Sequence, residues 1–141
     1  MATLKPELLD LFAQTHLAAL VTLKRDGRPQ ISNISYWYDE RNHALEVSIT
    51  DGRAKTANMR RDPRVSLQVS ASDGWKYAVA EGEAELSPVA ADPNDATVEA
   101  LVNLFRNIQG EHSDWNEYRL AMVADKRLVL RVPITHVYGM A

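Results

Sequence analysis

The spacing with the most chemical content is Arg53-Ala54-Lys55-Thr56, which follows Ser48-Ile49-Thr50-Asp51-Gly52 and runs on to Asp62-Pro63. Alternation of apolar and polar residues ends at Thr50, Asp51-Gly52 turns the chain, and Asp62-Pro63 closes a short helix. Arg53 and Lys55 then fall in the first turn of that helix. Cations are disfavoured there, because the backbone dipole is positive at a helix start. An anion shared between the two side chains and the free backbone N–H groups removes the conflict, and a phosphate is the simplest such anion. The competing reading of the same spacing is a solvated basic face. From Arg53 to Arg64 the chain carries five bases against one acid, on a protein whose net charge is -3. A local basic patch on an acidic chain suits a discrete small anionic ligand and argues against nucleic acid. Arg60, Arg61 and Arg64 read as surface charge.

Gln30, Ser32 and Asn33 on one strand and Ser48 on another offer hydrogen-bonding groups beside this segment, or form the ordinary solvent face of a sheet. Trp75 and Tyr77 stand two apart and so share one side of a strand. They serve either core or dimer packing or a wall against a planar ring. The four histidines are scattered and read as surface or capped groups. Glu111-His112-Ser113-Asp114 reads as a helix-start loop rather than a triad. The dinucleotide, P-loop and H-E-x-x-H patterns are all absent. With no cysteine, disulfides and thiolate metal sites are excluded.

The elements that position these residues follow from periodicity. The 141 residues, 45% hydrophobic and 25% charged, suit a single domain over 1–141 with its own core. The first residues lack a signal pattern and no apolar run approaches a membrane span, so a cytoplasmic location without membrane contact is expected. Leu4 to Gln14 has a helical apolar stripe. His16 to Leu23 is nearly continuous apolar sequence, which predicts a strand buried on both faces. Asp26-Gly27 supplies the positive φ angles of a hairpin turn. The return strand, Gln30 to Tyr38, slips its alternation between Ile31 and Ile34, through either a bulge or a polar inner surface. Leu45, Val47 and Ile49 face a core. Val65 to Ser70 alternates again, and Trp75 to Leu86 is a long strand with Ala78, Ala80, Gly82 and Ala84 on one face. Val98, Leu101, Leu104, Phe105 and Ile108 mark an amphipathic helix ending at Gly110. A further helix starts with Ser113 as N-cap. Arg127 to Tyr138 is the last strand. Six mostly hairpin-connected strands without βαβ alternation predict an antiparallel barrel with helical decoration.

Several segments together resemble the split β-barrel flavin and deazaflavin superfamily, the group related to pyridoxamine 5′-phosphate oxidase. They are Asp26-Gly27-Arg28-Pro29-Gln30-Ile31-Ser32-Asn33, the run Ser48 to Thr56, and Asn58-x-Arg60-Arg61-Asp62-Pro63-Arg64. Asp73-Gly74-Trp75-x-Tyr77-Ala78-x-Ala80-Glu81-Gly82 and Pro133-Ile134-Thr135-His136-Val137-Tyr138-Gly139 are similar to the actinobacterial branch that binds coenzyme F(420). The resemblance implies a six-stranded split barrel and a homodimer with cofactor sites between protomers. It implies that Arg53 and Lys55, within Arg53-Ala54-Lys55-Thr56, hold the cofactor phosphate. Gln30, Ser32, Asn33 and Ser48 would line the ring and ribityl side, and Trp75 and Tyr77 would come from the partner. The activity implied is hydride transfer from the deazaflavin to a small electron-poor substrate, with the cofactor carrying the redox chemistry. No catalytic residue is identified. Two alternatives are an FMN-dependent enzyme of the pyridoxamine phosphate oxidase type and a non-enzymatic deazaflavin-binding or storage protein. The chain ends at Ala141 without the arginine- and histidine-bearing segment that the oxidases use on pyridoxal phosphate, which weighs against the first.

Overall fold

The computed structural model describes residues 4–141. Its sheet is organised by the last strand, β8 (Arg127–Met140), which has two sets of partners. The first half pairs antiparallel with β4 (Ala44–Thr50), Arg127 opposite Thr50 and Pro133 opposite Ala44. The second half pairs antiparallel with β6 (Tyr77–Glu83), Met140 opposite Tyr77. From β6 the order runs through β5 (Arg64–Ser70) and β1 (Leu17–Leu23) to β2 (Pro29–Ser35). From β4 it runs to β3 (Trp37–Asp39), while the short β7 (Glu85–Leu86) also pairs with β8. Every pairing is antiparallel, as the hairpin pattern predicts, and β2 and β4 lie close without being hydrogen-bonded to each other.

The described residues form eight strands rather than the expected six, because two long segments are each interrupted. The return strand breaks at Tyr36. Its N–H donates to the His16 carbonyl at 2.8 Å and its buried hydroxyl donates to the Phe12 carbonyl at 2.7 Å. This corner leaves β2 on β1 and sends β3 to β4. The segment after Trp75 breaks at Ala84, whose N–H leaves the ladder for the Pro63 carbonyl at 2.7 Å. In the β1–β2 hairpin only Gly27 takes a positive φ, 85°. Asp26 instead accepts the Arg28 N–H at 3.0 Å through its side chain, so the turn differs from the expected pair of positive φ angles.

The inward residues Leu20, Leu45, Val47, Ile49, Leu67, Val69, Leu128 and Leu130 are all buried, and α1 (Pro6–Ala13) closes this core with Leu8, Leu9, Leu11 and Phe12. β1 is not buried on both faces. Ala18, Leu20 and Thr22 point inward, while Leu17 is 70% exposed. The β1–β2 register is unbroken, so the slip in β2 is the polar inner surface and not a bulge. Ile31 simply faces outward. Directly opposed residues share a face, so the register places Leu17, Ile31, Tyr138 and Met140, all exposed, on the same outer side.

Two helices cover the outer side of β4 and the first half of β8. In α3 (Ala96–Gln109), Val98, Leu101 and Val102 pack with Met122 of α4 (Trp115–Ala124) and Val129 of β8. The Asp95 carboxylate accepts the Val98 N–H at 2.8 Å, and Asp114, not the expected Ser113, caps α4 by accepting the Glu117 N–H at 3.1 Å. Among the described residues no helix is long and apolar enough to cross a membrane.

The small-residue face of β6 has a definite reason at Gly82. The β6–β8 register shifts between Glu81 and Gly82. A Cβ at Gly82 would collide with the Pro133 carbonyl oxygen and lie 2.9 Å from Val132 Cγ1. Overpacking a rigid backbone approach of this kind costs about 1–3 kcal/mol. Gly82→Ala is therefore expected to lower the unfolding free energy by that amount, read as a lower urea midpoint with an unchanged slope, and a wild-type midpoint would show that β8 yields freely.

Candidate functional site

A cavity of about 690 Å³ opens where β2 and β4 part. One wall carries Gln30, Ser32 and Asn33 of β2 and Ser48 and Thr50 of β4. The start of α2 (Ala54–Arg61) closes one end with Arg53, Ala54 and Lys55. Leu104, Phe105 and Ile108 of α3 and Tyr118 and Met122 of α4 form the opposite wall, and Arg127 enters from the start of β8.

Arg53 is the N-cap of α2, just before the first turn in which it was expected, with an extended backbone at φ -83° and ψ 151°. No side chain caps this end and its first turn holds no acid. The Ala54 and Lys55 N–H groups have no acceptor among the described residues, leaving the positive end of the dipole facing the cavity. The helix is fixed by its other residues. Thr56, buried, donates its hydroxyl to the Thr50 carbonyl at 2.7 Å. The Asn58 amide donates to Thr22 Oγ1 at 3.1 Å and to Gln30 Oε1 at 2.8 Å, which also sets the orientation of Gln30. Arg61 donates to the Leu23 carbonyl at 2.7 Å, Arg60 pairs with Asp51 at 2.9 Å, and Arg64 pairs with Asp62 at 2.8 Å. These last three arginines are thus engaged away from the cavity.

Arg53, Lys55 and Arg127 form no ion pair among the described residues, and no carboxylate lines the cavity. Lys55 Nζ lies 3.5 Å from Ser32 Oγ. Burial, then Arg53, then Arg127 hold the Lys55 ammonium below the usual lysine range. Arg127 Nε is buried and has no hydrogen-bond partner. The far wall is of opposite character. Phe105, His112, Trp115 and Tyr118 pack with ring centroids 5.1–5.7 Å apart, and Arg106 lies 4.8 Å from the Trp115 ring. Burial raises the Tyr118 phenol pKa, and its hydroxyl donates to the Leu101 carbonyl at 3.1 Å. One end of the cavity is therefore cationic, and the other presents apolar and aromatic surface.

Of the residues singled out in the sequence, Gln30, Ser32, Asn33, Ser48, Arg53, Ala54 and Lys55 line this one cavity. The Thr56 side chain turns away to Thr50. Trp75 and Tyr77 lie outside it within the chain. Trp75 precedes β6, in a turn where the Asp73 carboxylate accepts its N–H at 2.8 Å, and is 76% exposed. Strand alternation therefore does not fix its side relative to Tyr77, contrary to the expectation. The sequence reading missed Arg127 and the helical wall. Phe105 and Ile108 belong to the recognised apolar stripe of α3, but periodicity cannot separate a core residue from a cavity wall. Among the described residues no cluster of potential metal ligands occurs.

The profile of the family described as Pyridoxamine 5'-phosphate oxidase matches residues 4–141. An F(420)H(2)-dependent biliverdin reductase of Mycobacterium tuberculosis is 26% identical over 138 residues, 98% of this chain and 89% of that protein. A solved structure named F(420) reductase superposes with a TM-score of 0.74 at 23% identity, over 96% of this chain and 98% of its own. A conserved hypothetical protein of Mycobacterium tuberculosis gives 0.73 at 20% identity, over 99% of this chain and 86% of its own.

The cationic end has a stability consequence. A lysine whose pKa falls on folding destabilises the fold while it is protonated, and this penalty fades as pH rises through its folded value. In phosphate-free buffer Lys55→Met is expected to melt above the wild type at neutral pH. The gap should close as pH rises past about 10.4, above which lysine is also largely uncharged when unfolded. A lower melting temperature at neutral pH would mean that Lys55 stabilises the empty fold.

Proposed function

This chain belongs to the pyridoxamine 5'-phosphate oxidase family of split barrels, and we propose that it is a deazaflavin-dependent oxidoreductase using coenzyme F(420). The observation that carries this reading is the polarised cavity, with unpaired Arg53, Lys55 and Arg127 at one end and an apolar wall at the other. The residues fit a phosphate-bearing cofactor with a planar ring. Arg53, Lys55 and the N–H groups of Ala54 and Lys55 would hold the phosphate. Gln30, Ser32, Asn33 and Ser48 supply hydrogen-bonding groups along the strand wall, with Gln30 oriented by Asn58. Phe105, Ile108 and Met122, which line the cavity, would exclude water and orient the ring. Bound and reduced, the deazaflavin supplies the hydride to a small electron-poor molecule. Tyr118 is not the proton donor of first choice, since its hydroxyl is engaged with the Leu101 carbonyl.

FMN, with the same phosphate-and-ring arrangement, is the alternative cofactor. The 26% identical relative named for F(420)H(2) favours the deazaflavin. Titration of the purified protein with both separates them, and tighter FMN binding would overturn the choice. Oxidation of the reduced deazaflavin faster than the protein-free rate, with enones or quinones present, separates an enzyme from a carrier. No acceleration across a broad panel would favour the carrier. Lys55→Ala is expected to weaken cofactor binding by about 1.5–3 kcal/mol, the scale of a charge-assisted hydrogen bond. Unchanged affinity would remove the phosphate from this end.

A homodimer is part of the proposal. Leu17, Ile31, Tyr138 and Met140 present apolar surface on one sheet face, a feature of association surfaces. A second copy against it could bring Trp75 and Tyr77 to the neighbouring cavity. Ile31→Asp should shift sedimentation from dimer to monomer while leaving the circular dichroism spectrum unchanged. A wild-type protein that sediments as a monomer would refute the dimer.

A further inference from the structure

The two ends of an amide side chain have nearly the same shape, so only its partners decide which end points where. For Gln30 they decide it. The deciding group is Arg61, one turn after Asn58 on α2. A guanidinium donates at every pH and never accepts. Arg61 Nη2 donates to the Leu23 carbonyl at 2.7 Å and to Asn58 Oδ1 at 3.0 Å. The amide nitrogen of the buried Asn58 must then face the other way, where it donates to Thr22 Oγ1 at 3.1 Å and to Gln30 Oε1 at 2.8 Å. Thr22 and Gln30 stand opposite one another in the β1–β2 ladder, so Asn58 serves both strands at once. The Thr22 hydroxyl can turn to suit either polarity, and the fixed end of this series is therefore Arg61. Gln30 is its last member. Its oxygen is taken by Asn58, and its Nε2 has no hydrogen-bond partner among the described residues and remains open rather than enclosed. Because Gln30 lines the cavity, the N–H groups of Nε2 are offered there.

Resting on the cofactor reading above, we infer that Arg61 and Asn58 are positioning residues that present Gln30 to the cavity as a fixed donor, and that the bound molecule meets it with an uncharged acceptor, a ring carbonyl oxygen or an unprotonated ring nitrogen. Neither positioning residue lines the cavity. Turning the Gln30 amide over would set its N–H groups against those of Asn58. That loses a buried hydrogen bond and leaves a donor unmet, so the orientation holds with or without ligand. A molecule with an N–H at this point meets donor against donor and is rejected, because a polar group built into the site is left unpaired. This selection differs in kind from that of the cationic end. Charge there distinguishes anions from other groups, whereas Gln30 distinguishes acceptors from donors among uncharged ones.

Asn58→Asp keeps the shape of the side chain and replaces its donor by an acceptor. Its carboxylate accepts from Arg61 on one oxygen and from Gln30 on the other, which turns Gln30 Oε1 toward the cavity. Gln30→Met removes the donor at nearly the same length. The first readout needs no ligand. By heteronuclear NMR, the Gln30 side-chain amide protons of the wild type are expected to exchange quickly with water and those of Asn58 slowly. In Asn58→Asp the Gln30 protons should become slow. Slow Gln30 exchange in the wild type would overturn the donor orientation. The second readout is titration with FMN and with coenzyme F(420). Asn58→Asp is expected to weaken binding roughly ten- to a hundredfold, and Gln30→Met roughly tenfold, the effects of a polar contact reversed and removed. In the Gln30→Met background Asn58→Asp should cause no further loss, since its effect passes through residue 30. Additive losses would reduce Asn58 to a structural role and overturn the inference, as would wild-type affinity in either single variant. If Asn58→Asp melts below the working temperature, the wild-type exchange rates and Gln30→Met carry the test. Should the wild type bind neither molecule, the cofactor reading fails and the acceptor assignment with it, while the exchange rates still uphold or overturn the orientation of Gln30.

Discussion

Arg53, Lys55 and Arg127 repel one another across a cavity that offers them no carboxylate, and the fold holds them there through the end of β4. Thr50 is the shared anchor. Its carbonyl accepts the Arg53 N–H at 3.3 Å and the Thr56 hydroxyl at 2.7 Å, and its backbone pairs with Arg127. One residue thus fixes the cap of α2, its first turn and the start of β8. None of these bonds involves the cationic side chains, which remain available to an external anion. Strain or repulsion at a site persists only where the surroundings over-determine it. Here that support extends outward through Asn58 to the β1–β2 hairpin and through the long β8 ladder to the rest of the sheet.

The same arrangement explains why the cavity has two chemically distinct ends. β2 and β4 run side by side without a shared ladder, so the polar groups on their facing residues are not used up in pairing with each other. The gap is roofed by α3 and α4, whose contact with the sheet is apolar through Val98, Leu101, Met122 and Val129. Helices amphipathic enough to bury that stripe present their next residues, Phe105 and Ile108, to the gap. The aromatic contacts among Phe105, His112, Trp115 and Tyr118 then stiffen this wall against collapse into the cavity. A ligand with an anionic tail and a flat ring matches both ends at once.

What the sequence revealed followed the range of the forces involved. The alternation of Leu45, Val47 and Ile49 reports a local preference, and the strand is where it predicts. Arg53-x-Lys55 was legible because a cation pair at a helix start conflicts with the backbone itself. The corner at Tyr36 was not legible. Ser35-Tyr36-Trp37-Tyr38 continues a strand pattern, and only distant contacts with His16 and Phe12 break it. Arg127 was hidden for the same reason, since nothing next to it in the chain marks it as a neighbour of Lys55. The capping of α4 by Asp114 rather than Ser113 is a choice between adjacent acceptors that only the backbone geometry decides.

The reading of β1 as buried on both faces is the most informative disagreement. Within one chain its outer face is open, with Leu17 exposed and Ile31 of β2 beside it. Apolar surface left in water forgoes about 25 cal/mol for each Å² that burial would recover. An outer face built from Leu17, Val21 and Ile31 next to Tyr138 and Met140 is costly to leave open and inexpensive to cover. Two-sided apolarity in β1 is therefore the expected composition of a strand buried inward by its own core and outward by another copy. Trp75, in the turn just before β6, is likewise exposed. The proposed second copy accounts for both observations, since the surface that would bury β1 would also carry Trp75 toward the neighbouring chain.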